Sequence, residues 1–455
     1  MSDSILVRHS AATGFRVTLV AVSAGTAGLL AGYGTSIING ALVSLRAEFS
    51  LDALQTELVT TILLWGCALG AALAGFLSDR YGRRAVLLAA GTLFCFSALG
   101  SAFSATLWQL FVARAAGGVA IGSASMIAPL YIAEIAPARL RGRLVTVNQL
   151  AMVVGILVAF ISNYALAGIA HGAWRWMFGL GALPAAVFCL LLLWIPESPR
   201  WLLQRGLRDQ ARAVRLQFSS AEDVEGELAE MDRAIGEESG SYRELFGRAL
   251  RKPMTLAILL AIIQQATGIN TVLYYGSIVF SEHVGASASG AMGMNIMVGV
   301  VNLLFTIAAF FGIDRLGRKP LLLIATAGMG ACLTAFSLLL IFHSGNALLL
   351  LLPILGYVAF FAFGLGSGVW VCMAELLPNR VRGRAMSVAT TVLWIAVSVV
   401  AATFLSLIRI FSAPAVFLGY AVICALSYLY IQFNLPETKN RTLEEIARLW
   451  QQNRD

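Results

Sequence analysis

The sequence predicts an all-α integral membrane protein with twelve transmembrane helices in two pseudo-symmetric six-helix bundles. Three observations predict this fold class: a mean hydropathy of +0.81, a charged fraction of only 12%, and loop motifs that recur between the two halves of the chain. A helix needs ~20 mostly apolar residues to cross ~30 Å of hydrocarbon, where only helices and closed barrels satisfy their backbone hydrogen bonds. Apolar runs of this length fall at residues 17–44, 56–78, 85–104, 108–132, 144–168, 176–195, 253–281, 289–312, 320–343, 347–374, 385–408 and 412–434.

The cationic residues predict how these helices are oriented. All but four of the 32 lysine and arginine residues lie at the N-terminus, after even-numbered runs or at the C-terminus. By the positive-inside rule, both termini are expected in the cytoplasm, and we expect a multi-pass protein of the cytoplasmic (inner) membrane without a cleaved signal peptide. The net charge of +8 then reflects topology and attraction to anionic lipid headgroups, and it does not indicate nucleic-acid binding.

Cysteine and histidine offer no pattern for metal or redox chemistry. The six cysteines lie inside different apolar runs without CxxC spacing, and the four histidines are scattered. We therefore expect neither disulfides nor a metal site. No nucleophile–base pair or P-loop is recognisable, so we expect no enzymatic activity and no cofactor.

The widest polar gap, residues 196–252, divides the apolar runs six and six. Its Arg- and Glu-rich stretches predict short helices. The sequence therefore predicts an N-terminal six-helix bundle at 1–195, a cytoplasmic linker with short helices at 196–252, and a C-terminal six-helix bundle with a short cytoplasmic tail at 253–455.

Motifs after the even-numbered runs recur in the second half of the chain. Basic loops that serve the positive-inside rule would explain the repeated arginines, but not Asp, Gly, Glu and Pro at the same spacing. A duplicated six-helix unit explains them all and places a site between the two halves. The recurring pairs are DRYGRR (79–84) with DRLGRK (314–319), EIAPARLRGR (134–143) with ELLPNRVRGR (375–384), and PESPR (196–200) with PETKN (436–440).

With PESPRWLL, QQATGINTVLYY and PETKNRTLEEI, these motifs make the chain resemble the major facilitator superfamily and, within it, the sugar porter family. That family includes bacterial xylose, arabinose and galactose symporters and animal facilitative glucose transporters. The resemblance spans residues 14–447. It implies the major facilitator fold and transport of a monosaccharide, hexose or pentose, by alternating access, with one chain sufficient for the pathway. A polyol or drug transporter of the same superfamily and a membrane sugar sensor are the alternatives.

The seventh apolar run carries an unusual group of polar residues. At ~100° per residue, Gln264, Gln265 and Asn270 point in three directions along a regular helix. A helix that loosens at Gly268 would bring the three amides to one cavity. Amides suit a sugar because each offers one acceptor and two donors without a net charge. The alternative is that they form hydrogen bonds between helices.

The resemblance implies further site residues. Their alternative roles are packing or an aromatic belt at the membrane interface. Two positions depart from the family: Ser367 replaces a usual proline before Trp370, and Leu393 replaces a usual polar residue before Trp394. The implied substrate-binding residues outside the seventh run are Gln149, Asn302, Trp370 and Trp394, and the implied gate residues are Tyr274 and Tyr275.

The first apolar run lacks the acid that proton-coupled sugar porters carry. Gly34 stands at the position of their aspartate, whereas their fourth-helix arginine is matched by Arg114. Coupling requires a group whose pKa differs between conformations, so we favour facilitated diffusion, with proton symport through another group such as Glu134 as the alternative. Arg114 could then act in coupling or as a structural donor to the first helix.

The resemblance also implies a cytoplasmic charge latch that ties the halves together when the cavity opens outward. The alternative is that these charges only anchor the topology. The implied residues are Asp79, Arg80, Arg84, Glu134, Arg141 and Glu197 in the first half, and Asp314, Arg315, Arg318, Glu375, Arg382 and Glu437 in the second.

Overall fold

Twelve helices long and apolar enough to cross a membrane confirm the predicted number of spans within the part of the chain that the structure describes. The structure is a computed structural model that describes residues 2–136, 141–169, 171–219, 221–237, 242–245, 247, 250–342, 346–377 and 381–439. The chain is thus a multi-pass membrane protein. We number the helices spans 1 to 12: Arg16–Phe49, Ala53–Tyr81, Arg83–Ala102, Leu107–Ile135, Thr146–Leu166, Ala173–Trp194, Arg251–Glu282, Ala288–Ile313, Arg318–Ile341, Ala347–Leu376, Gly383–Phe411 and Ala413–Asn434.

The loops after even-numbered spans lie at one end of the bundle, which we call the basic end. The other end is the opposite end, and four spans begin there with a capping side chain that accepts a backbone N–H. Asp52 and Thr106 cap spans 2 and 4, each in a capping box with a glutamine. Ser287 and Asn346 cap spans 8 and 10, six spans later. The caps therefore repeat with the period that the loop motifs predict.

Short helices follow span 6, as expected for the polar gap. Arg215 connects them to the bundle: its Nη1 donates to the Ile135 carbonyl oxygen at 3.2 Å, and its Nε donates to Glu227 at 2.8 Å. This contact fixes part of the predicted linker against the basic end of span 4. The described helices are Pro199–Gln204, Arg208–Arg215, Ala221–Glu237 and Tyr242–Leu245.

Glycines allow the spans of the first half to approach closely. A Cβ atom on Gly118 of span 4 would lie 1.9 Å from the Leu63 carbonyl oxygen of span 2, and one on Gly122 would lie 2.0 Å from that of Cys67. Small residues at such crossings let backbones meet without a side chain between them. We call spans 1–6 the N-terminal half and spans 7–12 the C-terminal half; they meet where span 2 packs on span 11 and span 5 on span 8.

Candidate substrate site and charge clusters

Span 7 is interrupted at the position where the sequence predicts that it loosens. It consists of two helices, Arg251–Ala266 and Ile269–Glu282. Between them Gly268 has a φ of +87°, in the left-handed region that glycine tolerates best. A Cβ atom there would lie 2.7 Å from the ring of Tyr420 in span 12. Both the backbone conformation and the adjacent ring therefore favour glycine at this position.

The three amides around this break form one hydrogen-bonded chain. Asn270 donates from Nδ2 to Gln265 Oε1 at 2.5 Å, and Gln265 donates from Nε2 to Gln264 Oε1 at 3.0 Å. Gln264 in turn donates to the carbonyl oxygens of Leu365 and Gly366 in span 10, at 2.8 and 3.1 Å. Gln264 and Gln265 end the first helix, and the break lets Asn270 of the second helix join them through Gln265.

Span 10 is irregular where it accepts the hydrogen bonds from Gln264. Between helices Ala347–Phe360 and Ser367–Leu376 lies a π-helical turn, Phe361–Gly366. A π turn replaces the i→i+4 hydrogen bonds of an α-helix by i→i+5 bonds, and Gln264 donates to two carbonyl groups at its end. The irregularity is therefore present although Ser367 replaces the proline usual there.

A second hydrogen bond joins the two irregular segments. Tyr357 of span 10 donates from its hydroxyl to the Thr267 carbonyl oxygen at 2.9 Å. Thr267 immediately precedes the break, where the helix no longer supplies partners for its carbonyl groups. Spans 7 and 10 therefore satisfy each other's backbone at the site.

The other implied substrate residues lie on surrounding spans without a described contact to the amide chain. Gln149 of span 5 is half-buried and Asn302 of span 8 is buried, and the structure describes no hydrogen bond of either side chain. Trp370 follows the π turn and is half-buried, whereas Trp394 of span 11 is buried. Leu393 is also buried. Their roles in binding remain predictions.

The two tyrosines implied as a gate are both buried in the second helix of span 7. Tyr275 donates from its hydroxyl to the Ala401 carbonyl oxygen at 2.8 Å and stacks on Phe404 with ring centroids 5.4 Å apart, both in span 11. A gate role of Tyr274 and Tyr275 stays a prediction.

The opposite end contains a polar contact between the halves that the sequence analysis did not identify. Asn39 of span 1 donates from Nδ2 to the Leu273 carbonyl oxygen at 2.8 Å, and its Oδ1 accepts the Ser277 N–H at 3.0 Å. Asn295 of span 8 donates to the same Oδ1 at 3.1 Å. Asn39 and Asn295, amides inside otherwise apolar runs, were the available signal in the sequence.

Glu57 makes a second contact between the halves at this end. It is 1% exposed in span 2, and its two carboxylate oxygens accept the backbone N–H and the hydroxyl of Ser406 in span 11, both at 2.7 Å. At the surface, Arg46 forms an ion pair with Glu282 at 2.7 Å. The opposite end is thus closed by contacts from several spans.

At the basic end, the N-terminal half carries a buried charge cluster. Arg83 binds Glu134 through two hydrogen bonds, Nε to Oε2 at 3.1 Å and Nη2 to Oε1 at 3.2 Å. Ser198 donates to Glu134 at 2.5 Å. Glu197 accepts the backbone N–H of Arg83 at 2.9 Å and packs against Gly82, whose φ is +96°. All these partners belong to the N-terminal half or directly follow it.

The C-terminal half carries an equivalent cluster, in which each residue has an equivalent hydrogen-bond partner. Arg318 binds Glu375 at 2.8 Å, and Thr438 donates to Glu375 at 2.6 Å. Glu437 accepts the backbone N–H groups of Arg318 and Lys319 at 3.0 and 3.1 Å. Burial acts to raise the pKa of Glu437, but hydrogen bonds from backbone N–H groups outweigh it and lower the pKa. Glu437 therefore stays ionised at neutral pH.

The remaining latch residues make fewer or different contacts. Asp79 pairs with Arg83 at 3.2 Å, whereas the Arg84 side chain donates to the Leu192 and Leu193 carbonyl oxygens at 2.8 and 2.9 Å. Arg83, which the sequence analysis did not name, thus takes the place equivalent to Arg318. Arg80 lies over the Tyr81 ring, and Arg315 is exposed; the side chains of Arg141, Asp314 and Arg382 lie outside the described part of the structure.

Arg114 reaches span 1 at the position where the aspartate is missing. Its Nη1 donates to the Gly34 carbonyl oxygen at 3.3 Å, and its Cζ lies 4.8 Å from the centroid of the Phe178 ring. A Cβ atom on Gly34 would lie 2.7 Å from Ile121 Cδ1 and 2.8 Å from the Phe94 ring. Apolar side chains therefore fill the space that an acidic side chain would need.

Comparison with known proteins agrees with this geometry. The sequence profile of the family described as Sugar (and other) transporter matches residues 19–450. The chain belongs to this sugar transporter family. A D-xylose transporter of Levilactobacillus brevis is 38% identical over 424 residues, which cover 92% of each chain. An arabinose-proton symporter of Bacillus subtilis (strain 168) is 35% identical and covers 99% of this chain and 98% of its own.

A solved structure confirms the fold of this family member. The proton:xylose symporter XylE bound to 6-bromo-6-deoxy-D-glucose, of the major facilitator superfamily, aligns with a TM-score of 0.83 and 34% identity, over 96% of this chain and all of that one. The predicted family and the predicted major facilitator fold are therefore both confirmed.

Proposed function

We propose that this protein carries a monosaccharide, a hexose or a pentose, across the cytoplasmic (inner) membrane by alternating access. The observation that carries the proposal is the chain of Gln264, Gln265 and Asn270 at the break in span 7. Uncharged amides that donate and accept match the hydroxyl groups of a sugar. The relatives described above bear the names of xylose and arabinose carriers, which supports the same substrate class.

We infer that the structure represents an inward-facing state. The positive-inside rule assigns the basic end, and with it both termini, to the cytoplasm. The halves are joined at the opposite end through Asn39 and Glu57. At the basic end, the hydrogen bonds described for Glu134 and Glu375 join each of them to residues of the same half or directly after it, and do not connect the two halves. Closure at one end and separate clusters at the other are what alternating access requires of this state.

We propose facilitated diffusion as the mode of transport. A symporter needs a carboxylate or another titratable group that exchanges protons between its two conformations. Gly34 provides none, and Phe94 and Ile121 occupy the space beside it. Glu134, the alternative proton-carrying group, already accepts hydrogen bonds from Arg83 and Ser198. Proton symport is the competing mode, because one relative is named an arabinose-proton symporter.

The test is sugar transport by purified protein in proteoliposomes. Counterflow should be observed with at least one of labelled xylose, arabinose and glucose, and net uptake should stop at the external concentration. Substituting Gln264, Gln265 and Asn270 together by alanine should abolish counterflow, whereas Gln210→Ala on an exposed linker helix should not. Counterflow that survives the triple substitution would contradict the proposed site.

Whether transport is coupled to protons is tested separately, by a protonophore and by a variant at Gly34. Accumulation above the external concentration that a protonophore abolishes would contradict facilitated diffusion. Gly34→Asp restores an acid beside Arg114, so we expect Phe94 and Ile121 to move aside and the variant to gain some proton-driven accumulation. Gly34→Asn has nearly the same size without the titratable group and serves as the matched control.

A further inference from the structure

A buried positive charge in the N-terminal half has no described counter-ion. Arg114 is 3% exposed in span 4. Its Nε and Nη2 atoms are buried and have no hydrogen-bond partner among the described residues. Arginine does not lose its proton in proteins, so the charge persists. One carbonyl group at 3.3 Å and one aromatic ring at 4.8 Å compensate it only in part.

A small cavity adjoins this guanidinium group. Its volume is about 10 Å³, and its lining includes Arg114, Ser97, Ser101 and Tyr33. The Tyr33 hydroxyl donates to the Met177 carbonyl oxygen at 2.8 Å. Both serines are buried, and the structure describes no hydrogen bond of either hydroxyl group. No carboxylate group is among the described lining residues.

We propose that this cavity binds a small monovalent inorganic anion, with chloride as the occupant. The guanidinium group supplies N–H donors, and the two serine hydroxyl groups can rotate to donate as well. The volume is near the ~10–15 Å³ that a single water molecule needs, so the cavity has room for one small occupant. A chloride ion is larger than water, and we expect the lining side chains to shift slightly to admit it. A water molecule would accept hydrogen bonds from Arg114 but leave its positive charge uncompensated. An anion would accept the same hydrogen bonds and also compensate the charge. Chloride would thus take the electrostatic role of the carboxylate that Gly34 lacks.

The site would join several spans of one half. Its lining residues come from span 1 (Gly34), span 3 (Ser97), span 4 (Arg114) and span 6 (Phe178). An anion that binds only the folded arrangement stabilises it in proportion to the logarithm of its concentration. We therefore expect chloride to stabilise the N-terminal half whether or not a sugar is bound.

The experiment uses the full chain, purified in detergent in sodium gluconate buffer at constant ionic strength. Labelled chloride is titrated in equilibrium dialysis, and thermal unfolding is followed in parallel. We expect saturable binding of one chloride per chain and a melting temperature that keeps rising with the logarithm of the chloride concentration once the site is filled; bromide should give the same result. Arg114→Gln should lose both effects, whereas Arg409→Gln, the same substitution at an exposed arginine, should keep them.

A second variant tests the same site without removing Arg114, so the proposal can be judged even if Arg114→Gln misfolds. Replacing Ser97 and Ser101 by alanine keeps the charge and removes two donors, so we expect chloride affinity to fall at least tenfold, a factor worth about 1.4 kcal/mol. Absence of chloride binding by the unmodified protein, or equal binding by the protein with Arg114→Gln, would overturn the proposal and indicate a neutral occupant. Neither readout requires sugar transport, so failure here leaves the proposed function intact.

Discussion

Gln264 and Asn270 lie at the two ends of the amide chain and differ in the hydrogen-bonding capacity that they retain. Gln264 is 1% exposed and uses both its Nε2 and its Oε1 in described bonds. Asn270 is half-buried, and the bonds described for it involve only Nδ2. Its Oδ1 and second N–H are therefore available to a hydroxyl group. We infer that Gln264 shapes the site and that Asn270 contacts the sugar.

This difference predicts distinct effects of two alanine variants. Gln264→Ala removes the side-chain donor of two carbonyl groups in span 10, so we expect a loss of about 1–3 kcal/mol in the free energy of unfolding, together with lost transport. Asn270→Ala should weaken sugar binding about tenfold or more and change the stability little. Thermal unfolding and sugar titration by tryptophan fluorescence separate the two. Equal destabilisation by both variants would contradict the assignment.

The interrupted spans 7 and 10 form one unit, because each supplies hydrogen-bond partners for the other's irregular backbone. Gln264 donates to the carbonyl groups of the π turn, and Tyr357 donates to the Thr267 carbonyl group before the break. An unpaired carbonyl group in this environment is costly. We therefore expect the two spans to keep their relative position while the halves move.

Tyr357→Phe tests this unit. The substitution preserves the ring and removes the hydroxyl donor, so we expect stability to fall by about 1–2 kcal/mol and the exchange rate of sugar to fall with it. Tyr164→Phe, at a tyrosine that is 51% exposed, is the matched control and should change neither. The measurements are thermal unfolding and counterflow rate. A variant with unchanged stability and rate would show that the bond to Thr267 contributes nothing.

Some of these elements follow from the sequence and others do not. The bilayer sets the length of each span, so hydropathy alone identified all twelve, and Gly268 among scattered amides indicated the break. The π turn was not predicted, because Ser367 stands where a proline would mark a kink, and the two carbonyl groups find their donor 101 and 102 positions away. Arg83 was missed although aligning DRYGRR with DRLGRK places it opposite Arg318.

The balance between transport states depends on contacts that exist at one end of the molecule only. In this structure the halves are joined at the opposite end by Asn39, by Glu57 and by the Arg46–Glu282 pair. Such contacts join residues hundreds of positions apart, and we expect them to form in one state and break in the other. A single sequence specifies both states, so it indicates neither these pairs nor which state is lower in free energy. For efficient cycling, the states must differ by only a few kcal/mol.

Glu57 offers the sharpest test of this balance. Glu57→Ala removes two hydrogen bonds to a charged acceptor, each worth about 1.5–3 kcal/mol, and every 1.4 kcal/mol changes a population ratio about tenfold. We therefore expect the outward-open population to increase at least tenfold. Spin labels at Leu54 and Phe411, exposed residues of spans 2 and 11 near the opposite end, would report it as a longer distance in a cysteine-free background.

The matched control is another glutamate at the same end with contacts inside one half. Glu48 accepts from Trp174 at 2.7 Å and from Arg175 at 3.0 Å, and all three residues belong to the N-terminal half. Glu48→Ala should therefore leave the label distance unchanged, because its contacts persist in both states. If Glu57→Ala and Glu48→Ala gave the same distance distribution, the bonds to Ser406 would not hold this end closed. The inward-facing state would then depend on the Asn39 and Arg46–Glu282 contacts and on packing between spans 2 and 11.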